Sequence, residues 1–335
     1  MKILVIGTGS IGKRHIDNLV ALGAQVLAFS YRGQTETRPH WQDRVQWVAD
    51  WSLALRQVDA VVIANGTAQH MEVASACAHA GVPFFIEKPL SHQIQGVDLL
   101  LSAVEEANLV VEAGFMMRWH PNLRWIRDQL ATQAWGAALY MRASVGQWLP
   151  DWRPGTDHRQ GYGAFRASGG GVIFDLIHEL DLVYWMLGPV ADVNAMVAHD
   201  PRLEIETEAV AQIGLKMHSG ALAQVHLDYV RPVYGRGLEV VCEHGVVSWH
   251  YGQGTVTLER PGQPAEVVHR IPAGFERNTM FLEHMGHFLK RVAQPSEPPA
   301  SSLADAAHVL RVAIAAHQSA HEHRQVKPYD ANFSY

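Results

Sequence analysis

The chain has 335 residues, 48% of them hydrophobic and 18% charged, and a formal net charge of −6. That length suffices for two domains, while the modest charge and the lack of a lysine- or arginine-rich run argue against nucleic acid or a membrane as a partner. The two cysteines, Cys77 and Cys242, form no Cys-x-x-Cys pair, the N-terminus lacks a signal-peptide core, and no run approaches the ~20 apolar residues of a membrane span. We therefore expect a soluble, cytoplasmic protein.

Residues 1–120 alternate between short apolar runs and amphipathic stretches. The predicted strands are residues 2–6, 24–30, 59–64 and 82–87, and the predicted helices are residues 13–23, 50–58, 68–80 and 93–107, the last of which leads into the apolar segment "LVVEAGFMM" at 109–117. Strands that alternate with helices form a parallel sheet with helices on both of its faces. The pattern therefore predicts an α/β, doubly wound Rossmann domain over residues 1–120.

After about residue 120 the pattern changes to period-two alternation of apolar and polar residues, with turn residues between the segments. The predicted elements are a helix at 121–131, several strands between 138 and 260, and helices at 276–292 and 303–323. Such alternation is typical of antiparallel sheets with one covered face. We expect an α+β domain over residues 121–335, with a large, mostly antiparallel sheet, that binds substrate and supports oligomerisation.

A glycine-rich turn, "GTGSIG", follows the first predicted strand and opens the first helix. Gly7 permits the tight turn, Gly9 lets the backbone approach a pyrophosphate, and Gly12 lets the helix and strand pack closely. The phosphates of a dinucleotide would lie at the helix N-terminus. We therefore predict a dinucleotide site formed by Gly7, Thr8, Gly9, Ser10, Ile11 and Gly12.

The end of the second strand bears on which dinucleotide binds. An NAD-specific site usually has an acidic residue there to bind the ribose 2′-hydroxyl, but this chain reads "FSYRG". Ser30 and Arg32 can hold a 2′-phosphate, because a guanidinium binds phosphate in bidentate fashion. The alternative is that Arg32 is a solvated loop residue. The pattern favours NADP over NAD.

The segment "FFIEKPLS", residues 84–91, places Glu87, Lys88 and Pro89 directly after a buried strand. A lone lysine would ordinarily be a surface charge. In a doubly wound sheet, however, ligands bind beyond the carboxyl ends of the strands. Lys88 is therefore a candidate for a functional residue, and an ammonium can stabilise an oxygen whose charge changes during hydride transfer.

Four segments together resemble the Gfo/Idh/MocA oxidoreductase family over essentially the whole chain: "VIGTGSIGKRH", "NGTAQH", "EKPL" and "GGGVIFDLIHELDLVYWMLG". The resemblance implies that Lys88 lies at the nicotinamide and helps catalysis, that Pro89 is commonly cis, and that Glu87 can hold the lysine in place. The further cofactor-binding residues that it implies are Asn65, Gly66, Thr67, His70 and Glu87.

The last of these segments, residues 169–188, departs from the family pattern. Asp175 and His178 are three residues apart rather than four, as if one residue were deleted between them. Residues three or four apart on a helix still share a face, so both side chains can reach one site. His178 suits a general acid/base, and Asp175 would orient the histidine or the substrate. The alternative is that His178 only caps or packs a helix.

Two segments, 114–121 and 146–155, carry more polar and aromatic residues than core strands need. Their candidate substrate-binding residues, besides Asp175 and His178, are Arg118, Trp148, Asp151, Trp152 and Arg153. Tryptophans can stack on a sugar ring, and the charged groups can bind hydroxyls or a carboxylate. A dimer interface would use the same residue types. "LPDW" with the later "GGG" and "DLIHELD" looks like a subgroup associated with nonulosonic, sialic-type sugars.

The histidine pairs His284/His287 and His317/His321 have the spacing of helical metal ligands. No third ligand is evident near either pair, and the chain has 20 histidines. We therefore predict no metal.

These inferences converge on an NAD(P)-dependent dehydrogenase that transfers a hydride between the nicotinamide and a hydroxyl or carbonyl carbon of a sugar, sugar acid or polyol. The alternatives are an NAD-dependent glycosidase that uses transient oxidation and a non-catalytic dinucleotide sensor. We also expect a homodimer or homotetramer. The alternating strands between about 205 and 260 would leave an apolar sheet face uncovered, and members of the resembled family commonly pair through this sheet.

Overall fold

The computed structural model describes residues 1–33, 37–41, 43–153 and 155–333. Two units divide the chain: Met1–Ser91, Gln95–Trp119 and Glu276–Ala307 form the first, and His92–Ile94, His120–Phe275 and His308–Tyr335 form the second. The helices are α1 (Ser10–Ala21), α2 (Trp51–Ala54), α3 (His70–Ala80), α4 (Val97–Glu106), α5 (Pro121–Ala131), α6 (Val172–Asp175), α7 (His178–Leu187), α8 (Arg277–Ala293) and α9 (Leu303–Glu322). The sequence-based division assigned residues 276–307 to the second domain, whereas the structure groups them with the first unit.

A six-stranded parallel sheet organises the first unit, with the strand order β3-β2-β1-β4-β5-β6. Its strands are β1 (Lys2–Ile6), β2 (Gln25–Phe29), β3 (Val45–Trp47), β4 (Ala60–Ile63), β5 (Phe84–Ile86) and β6 (Val111–Ala113). Strands β4 and β5 are buried throughout, as expected for parallel strands covered on both faces. The predicted doubly wound sheet is confirmed, and the strand order reverses between β1 and β4, where ligands of such sheets bind.

Helix α8 belongs to the core of the first unit although it lies more than 150 residues after β6 in the chain. Its Met285 and Phe288 are fully buried in the same hydrophobic cluster as Val5 and Phe85. The apolar face of α8 is thus buried in the hydrophobic cluster formed by side chains of the parallel sheet. This packing explains why residues 276–307 group with the first unit.

A buried charged cluster ties α8 to β6. The fully buried Glu112 carboxylate accepts hydrogen bonds from Arg291 Nη1 at 2.8 Å, from His284 Nε2 at 3.2 Å and from the backbone N–H of Ser301 at 3.0 Å. Burial opposes its charged form, but the hydrogen bonds from the histidines and from Ser301 hold the pKa of Glu112 far below its ordinary value. The cluster replaces water around a buried charge and so fixes α8 on the sheet.

The second unit contains an eight-stranded sheet with the order β14-β13-β12-β11-β7-β10-β9-β8. Its strands are β7 (Ala138–Gly146), β8 (Val190–Ala198), β9 (Val210–Met217), β10 (Leu222–Asp228), β11 (Gly235–Cys242), β12 (Gly245–His250), β13 (Thr255–Glu259) and β14 (Glu266–Arg270). Adjacent strands are antiparallel except β7 and β10, which run parallel. The predicted large, mostly antiparallel sheet is confirmed; the sequence did not signal β3 or β14.

The two faces of this sheet differ in polarity. One face is apolar and buried, and helices α6 and α7 pack against its central strands. The other face carries polar side chains that bond across the strands: Tyr140 donates to Gln224 at 3.1 Å, and Gln212 contacts His226 at 2.8 Å. The expectation that the uncovered face would be largely apolar is therefore wrong, although Met196 on β8 is 70% exposed. The alternation placed the apolar side chains on the covered face instead.

No helix among the described residues is both long enough and apolar enough to cross a membrane.

Candidate functional site

The glycine turn lies between β1 and α1 and has the geometry that a phosphate cradle needs. Gly7 has a φ of +100°, and a Cβ there would lie 2.4 Å from the carbonyl oxygen of Ala64. A Cβ on Gly12 would lie 1.9 Å from the carbonyl oxygen of Gly7, so α1 can approach the strand only because Gly12 lacks a side chain. At Gly9, by contrast, no atom of the described residues lies within 4 Å of a Cβ position. The space that a pyrophosphate would fill lies over Gly9 at the start of α1.

The loop after β4 faces this turn. Asn65 follows β4 directly, and a Cβ on Gly7 would lie 2.4 Å from its backbone nitrogen. Both polar atoms of its side-chain amide are buried, and neither has a hydrogen-bond partner of normal geometry in the described parts of the chain, although the amide opposes the rise that burial causes in the pKa of Tyr31. Gly66 is exposed and Thr67 is buried. A ligand that brings its own donors and acceptors to this loop would satisfy Asn65, so these residues fit a bound dinucleotide.

The end of β2 adjoins the same turn, because the N–H of Gly7 donates to the carbonyl of Phe29 at 3.0 Å. A cavity of about 360 Å³ lies beyond β2 and β3, lined by Phe29, Ser30, Gly33, Trp47, Val48 and Ala49. The Ser30 hydroxyl accepts the backbone N–H of Arg32 at 3.2 Å, and Arg32 itself is exposed. In a doubly wound sheet this is the place of the adenosine ribose.

Lys88 follows β5 in a turn formed by residues 87–89, which we call the lysine turn. Hydrogen bonds hold the residues on both sides of Lys88. On the preceding side, Glu87 Oε1 accepts from His15 Nε2 at 2.7 Å, and Glu87 Oε2 accepts the backbone N–H of Lys88 at 3.2 Å. On the following side, the peptide bond to Pro89 is cis, and the Pro89 carbonyl accepts from His70 Nδ1 at 2.9 Å. Lys88 is partly exposed between buried neighbours. The Lys88 side chain therefore extends from a backbone that hydrogen bonds hold in place.

The charge on Glu87 is maintained although the residue is only 8% exposed. Burial raises the pKa of this carboxyl, but the hydrogen bond from His15 and the charge of Lys88 outweigh it and leave the pKa below its ordinary value. Glu87 is therefore a buried carboxylate that anchors the lysine turn from within the unit.

His70, a predicted cofactor-binding residue, is 1% exposed. Its Nδ1 bonds to the Pro89 carbonyl, and its Nε2 lies 3.3 Å from the carbonyl of Asn65. Burial lowers the pKa of His70. The ring thus lies between the loop after β4 and the lysine turn, in contact with one backbone carbonyl of each.

In the second unit, Asp175 is the centre of a hydrogen-bonded cluster. The Tyr162 hydroxyl donates to Oδ1, and the Tyr229 hydroxyl donates to Oδ2 at 2.9 Å. Trp152 meets Tyr229 edge to face, with ring centroids 5.4 Å apart, and the Arg153 guanidinium lies 5.7 Å from the centre of the Tyr162 ring. The structure therefore brings together three of the predicted residues, Asp175, Trp152 and Arg153, through two tyrosines that the sequence analysis missed.

Tyr229 is fully buried, and burial together with the negative charge of Asp175 raises its pKa well above the ordinary value. It is therefore a permanent hydroxyl donor at any pH at which the protein works. A sequence signal did exist, because Tyr229 follows a strand that alternates cleanly and a buried tyrosine hydroxyl needs a partner.

Asp175 and His178 do not lie on one helix. Asp175 is the last residue of α6, Leu176 leaves the helical conformation, and His178 is the first residue of α7. The argument that the two share a face of one helix is therefore wrong for this chain. Both residues are nonetheless buried in the second unit, with exposed fractions of 8% and 6%.

The remaining substrate candidates are Arg118, Trp148 and Asp151. Arg118 belongs to the first unit, where its 4% exposed side chain donates to Asp305 and to the carbonyl of Ala300, each at 2.9 Å. Trp148 lies 5.2 Å below the guanidinium of Arg202, and Asp151 is exposed. Arg118 thus has a structural partner that explains its presence.

The histidine pairs are used in packing. His284 and His287 both contact Glu112, and the buried His317 packs on Phe174, where burial lowers its pKa to about 3. Within the described ranges, no three His, Cys, Asp or Glu side chains are grouped so that they could hold a metal ion.

Comparison with known proteins gives consistent matches along the chain. A family model described as an oxidoreductase family with an NAD-binding Rossmann fold matches residues 1–115, and one described as the GFO/IDH/MocA C-terminal domain matches residues 123–248. The myo-inositol 2-dehydrogenase of Thermotoga maritima is 27% identical over an alignment of 347 positions that covers 98% of each chain. The UDP-N-acetylglucosamine 3-dehydrogenase of Acidithiobacillus ferrooxidans is 30% identical over 199 residues, 58% of each chain. A solved structure of a probable dehydrogenase from Thermotoga maritima superposes with a TM-score of 0.79 at 26% identity, covering 98% of this chain and 99% of that one.

Proposed function

The chain belongs to the Gfo/Idh/MocA oxidoreductase family, and from this premise we propose that it is a dehydrogenase of a sugar, sugar acid or polyol. The bound nicotinamide would supply the hydride acceptor or donor. The residues of the glycine turn would hold its pyrophosphate, and Asn65 would bind the dinucleotide from the loop after β4. The observation that carries the proposal is the lysine turn, where buried groups on both sides fix the backbone that carries the partly exposed Lys88 at the end of a parallel strand.

We assign the proton chemistry to three residues. In the direction of oxidation, His178 takes the proton of the substrate hydroxyl, and the Lys88 ammonium stabilises the forming carbonyl oxygen. Asp175 accepts hydrogen bonds from two tyrosine hydroxyls, which hold the carboxyl group in place, and it orients the substrate or the histidine. The same cluster carries Trp152 and Arg153, which suit an apolar sugar face and an acidic or hydroxyl group beside it. Arg118 is not part of this assignment.

A cofactor-reduction screen tests the proposed function. Purified protein would be given NAD or NADP with a panel of polyols, neutral sugars and acidic sugars, including nonulosonic acids, and the reduced nicotinamide would be followed by absorbance. We expect substrate-dependent reduction with at least one member of the panel. Hydrolysis of glycosides without net reduction would contradict the proposal in favour of a glycosidase, and dinucleotide binding without turnover would favour a sensor.

We further propose that NADP is the preferred dinucleotide. Ser30 and Arg32 occupy the end of β2, Arg32 is exposed beside the cavity there, and that strand end has no acidic residue. Arg32 can therefore take a ribose 2′-phosphate, while an acid that would select the 2′-hydroxyl is missing from the sequence.

Arg32→Ala should weaken NADPH binding by about tenfold to a hundredfold, since a charge-assisted hydrogen bond contributes about 1.5–3 kcal/mol. NADH affinity should hardly change, because NADH has no 2′-phosphate to bind Arg32. Fluorescence titration of both dinucleotides measures the difference, with the exposed Arg56→Ala as a control in the same unit. A wild-type protein that binds NADH more tightly than NADPH would remove this role of Arg32.

We also propose that the exposed face of the eight-stranded sheet, defined by the polar side chains of β7, β9 and β10, forms the contact of a homodimer or of a tetramer of dimers. The face is already hydrogen-bonded across its strands, and it exposes Leu222 by 52% on β10. In an isologous contact each substitution acts twice.

Light scattering should therefore give at least twice the chain mass of 37.1 kDa at micromolar concentration. Leu222→Glu should shift the protein toward the monomer, because two charges would enter the contact. Leu53→Glu, at a 68% exposed position on α2, is the matched control. A fully active wild-type monomer would contradict the proposal that this face forms a contact between subunits.

A further inference from the structure

Helix α1 carries, besides the glycine turn at its start, a buried histidine that reaches the lysine turn. His15 Nε2 lies 2.7 Å from Glu87 Oε1, across 72 residues of sequence. The two side chains are only 2% and 9% exposed. The bond therefore connects the dinucleotide-binding helix to the residue that precedes Lys88.

The His15 ring is fixed by its surroundings. It meets Phe85 of β5 edge to face at 5.2 Å and Phe281 of α8 at 6.5 Å between ring centroids. Phe281 also contacts the Arg14 guanidinium, which lies 4.6 Å from the ring centre. A ring packed between a strand and a helix holds its nitrogen in one place, so the hydrogen bond fixes the position of the Glu87 carboxylate.

The Glu87 carboxylate lies in a narrow space beside Gly114 and accepts two hydrogen bonds. A Cβ on Gly114 would lie 2.9 Å from Glu87 Oε2, so this space exists because residue 114 is glycine. One carboxylate oxygen faces His15, and the other accepts the backbone N–H of Lys88. Glu87 therefore links α1 to the backbone of the lysine turn through its two carboxylate oxygens.

We propose that His15 is a positioning residue for Lys88: by holding Glu87 it fixes the lysine turn relative to the glycine turn. The inference rests on the proposed function, because it requires Lys88 to act in catalysis. A buried carboxylate that loses its nearest donor must find another charge or take up a proton. The Lys88 side chain is the cation one residue away, and its charge already acts on Glu87.

Two substitutions at position 15 separate positioning from packing. His15→Phe keeps an aromatic ring against Phe85 but removes the donor to Glu87, and His15→Gln keeps a donor of similar reach. We expect His15→Phe to lower kcat by about tenfold to a hundredfold, the cost of a small misplacement of a catalytic group, with little change in KM and in dinucleotide affinity. His15→Gln should restore most of kcat. If His15 only packs, both variants will change the thermal midpoint while kcat per folded protein stays at the wild-type value.

A double-mutant cycle with Lys88→Ala completes the test. Since His15 acts through Lys88, His15→Phe should have no further effect on kcat in the Lys88→Ala background, and independent, multiplied effects would overturn the inference. An unchanged kcat in Lys88→Ala alone would instead reject the proposed function. Should His15→Phe not fold, Glu87→Gln replaces it in the cycle, because it removes the charge that His15 holds, and the same outcomes decide.

Discussion

Lys88→Ala is expected to lower kcat by about a hundredfold to a thousandfold while dinucleotide affinity stays nearly unchanged. The reason is that the ammonium contributes where charge develops on the substrate oxygen, and such groups act mainly on the transition state. Turnover with the best substrate and fluorescence titration of the dinucleotide measure the two effects separately. The lysine turn itself should survive, because Glu87 and His70 hold its backbone through groups other than the Lys88 side chain.

Two further variants sharpen this expectation. Lys88→Arg retains the positive charge but not the compact ammonium, so it should recover only a small part of kcat. Lys290→Ala is the control: this lysine forms a surface ion pair with Glu297 in the same unit and is 57% exposed, so its loss should leave kcat unchanged. If Lys88→Ala and Lys290→Ala gave equal turnover, the lysine turn would have no part in the reaction.

His178→Ala should reduce kcat by about 10²- to 10⁴-fold, the usual contribution of a positioned general acid or base. In the direction of oxidation the histidine must be neutral to take the hydroxyl proton. The wild-type rate should therefore fall when the pH is lowered far enough to protonate the histidine. The variant should lack this fall, because no other group has been assigned the proton.

The measurement is a pH–rate profile of kcat/KM for the wild type, for His178→Ala and for the control His218→Ala, whose histidine is exposed in the turn between β9 and β10. The control should reproduce the wild-type profile. A His178→Ala protein that is slower but keeps the same pH dependence would assign the proton transfer to a different residue and leave His178 a structural role.

The sequence alone identified the elements whose signals are local. A strand, a glycine turn and a helix adjoin one another between residues 2 and 21, so their order and spacing predict both the fold of the segment and its ligand class. The sequence likewise predicted the position of Lys88 at the end of a buried strand, which is β5. It also predicted α5, whose expected bounds of 121–131 match the structure. The alternating strands of the second unit were equally readable, because burial of one sheet face imposes a period of two.

Only the tertiary structure decided which distant residues meet. His15 bonds to Glu87 across 72 residues, Tyr229 to Asp175 across 54, and Arg118 to Asp305 across 187. Such pairs leave no periodicity in the chain, since each depends on how separate elements pack rather than on the repeat of any one of them. For the same reason the sequence could not show that α8 covers the parallel sheet of the first unit. Its apolar stripe predicts a helix with one buried face, and the partner of that face is set by the fold as a whole.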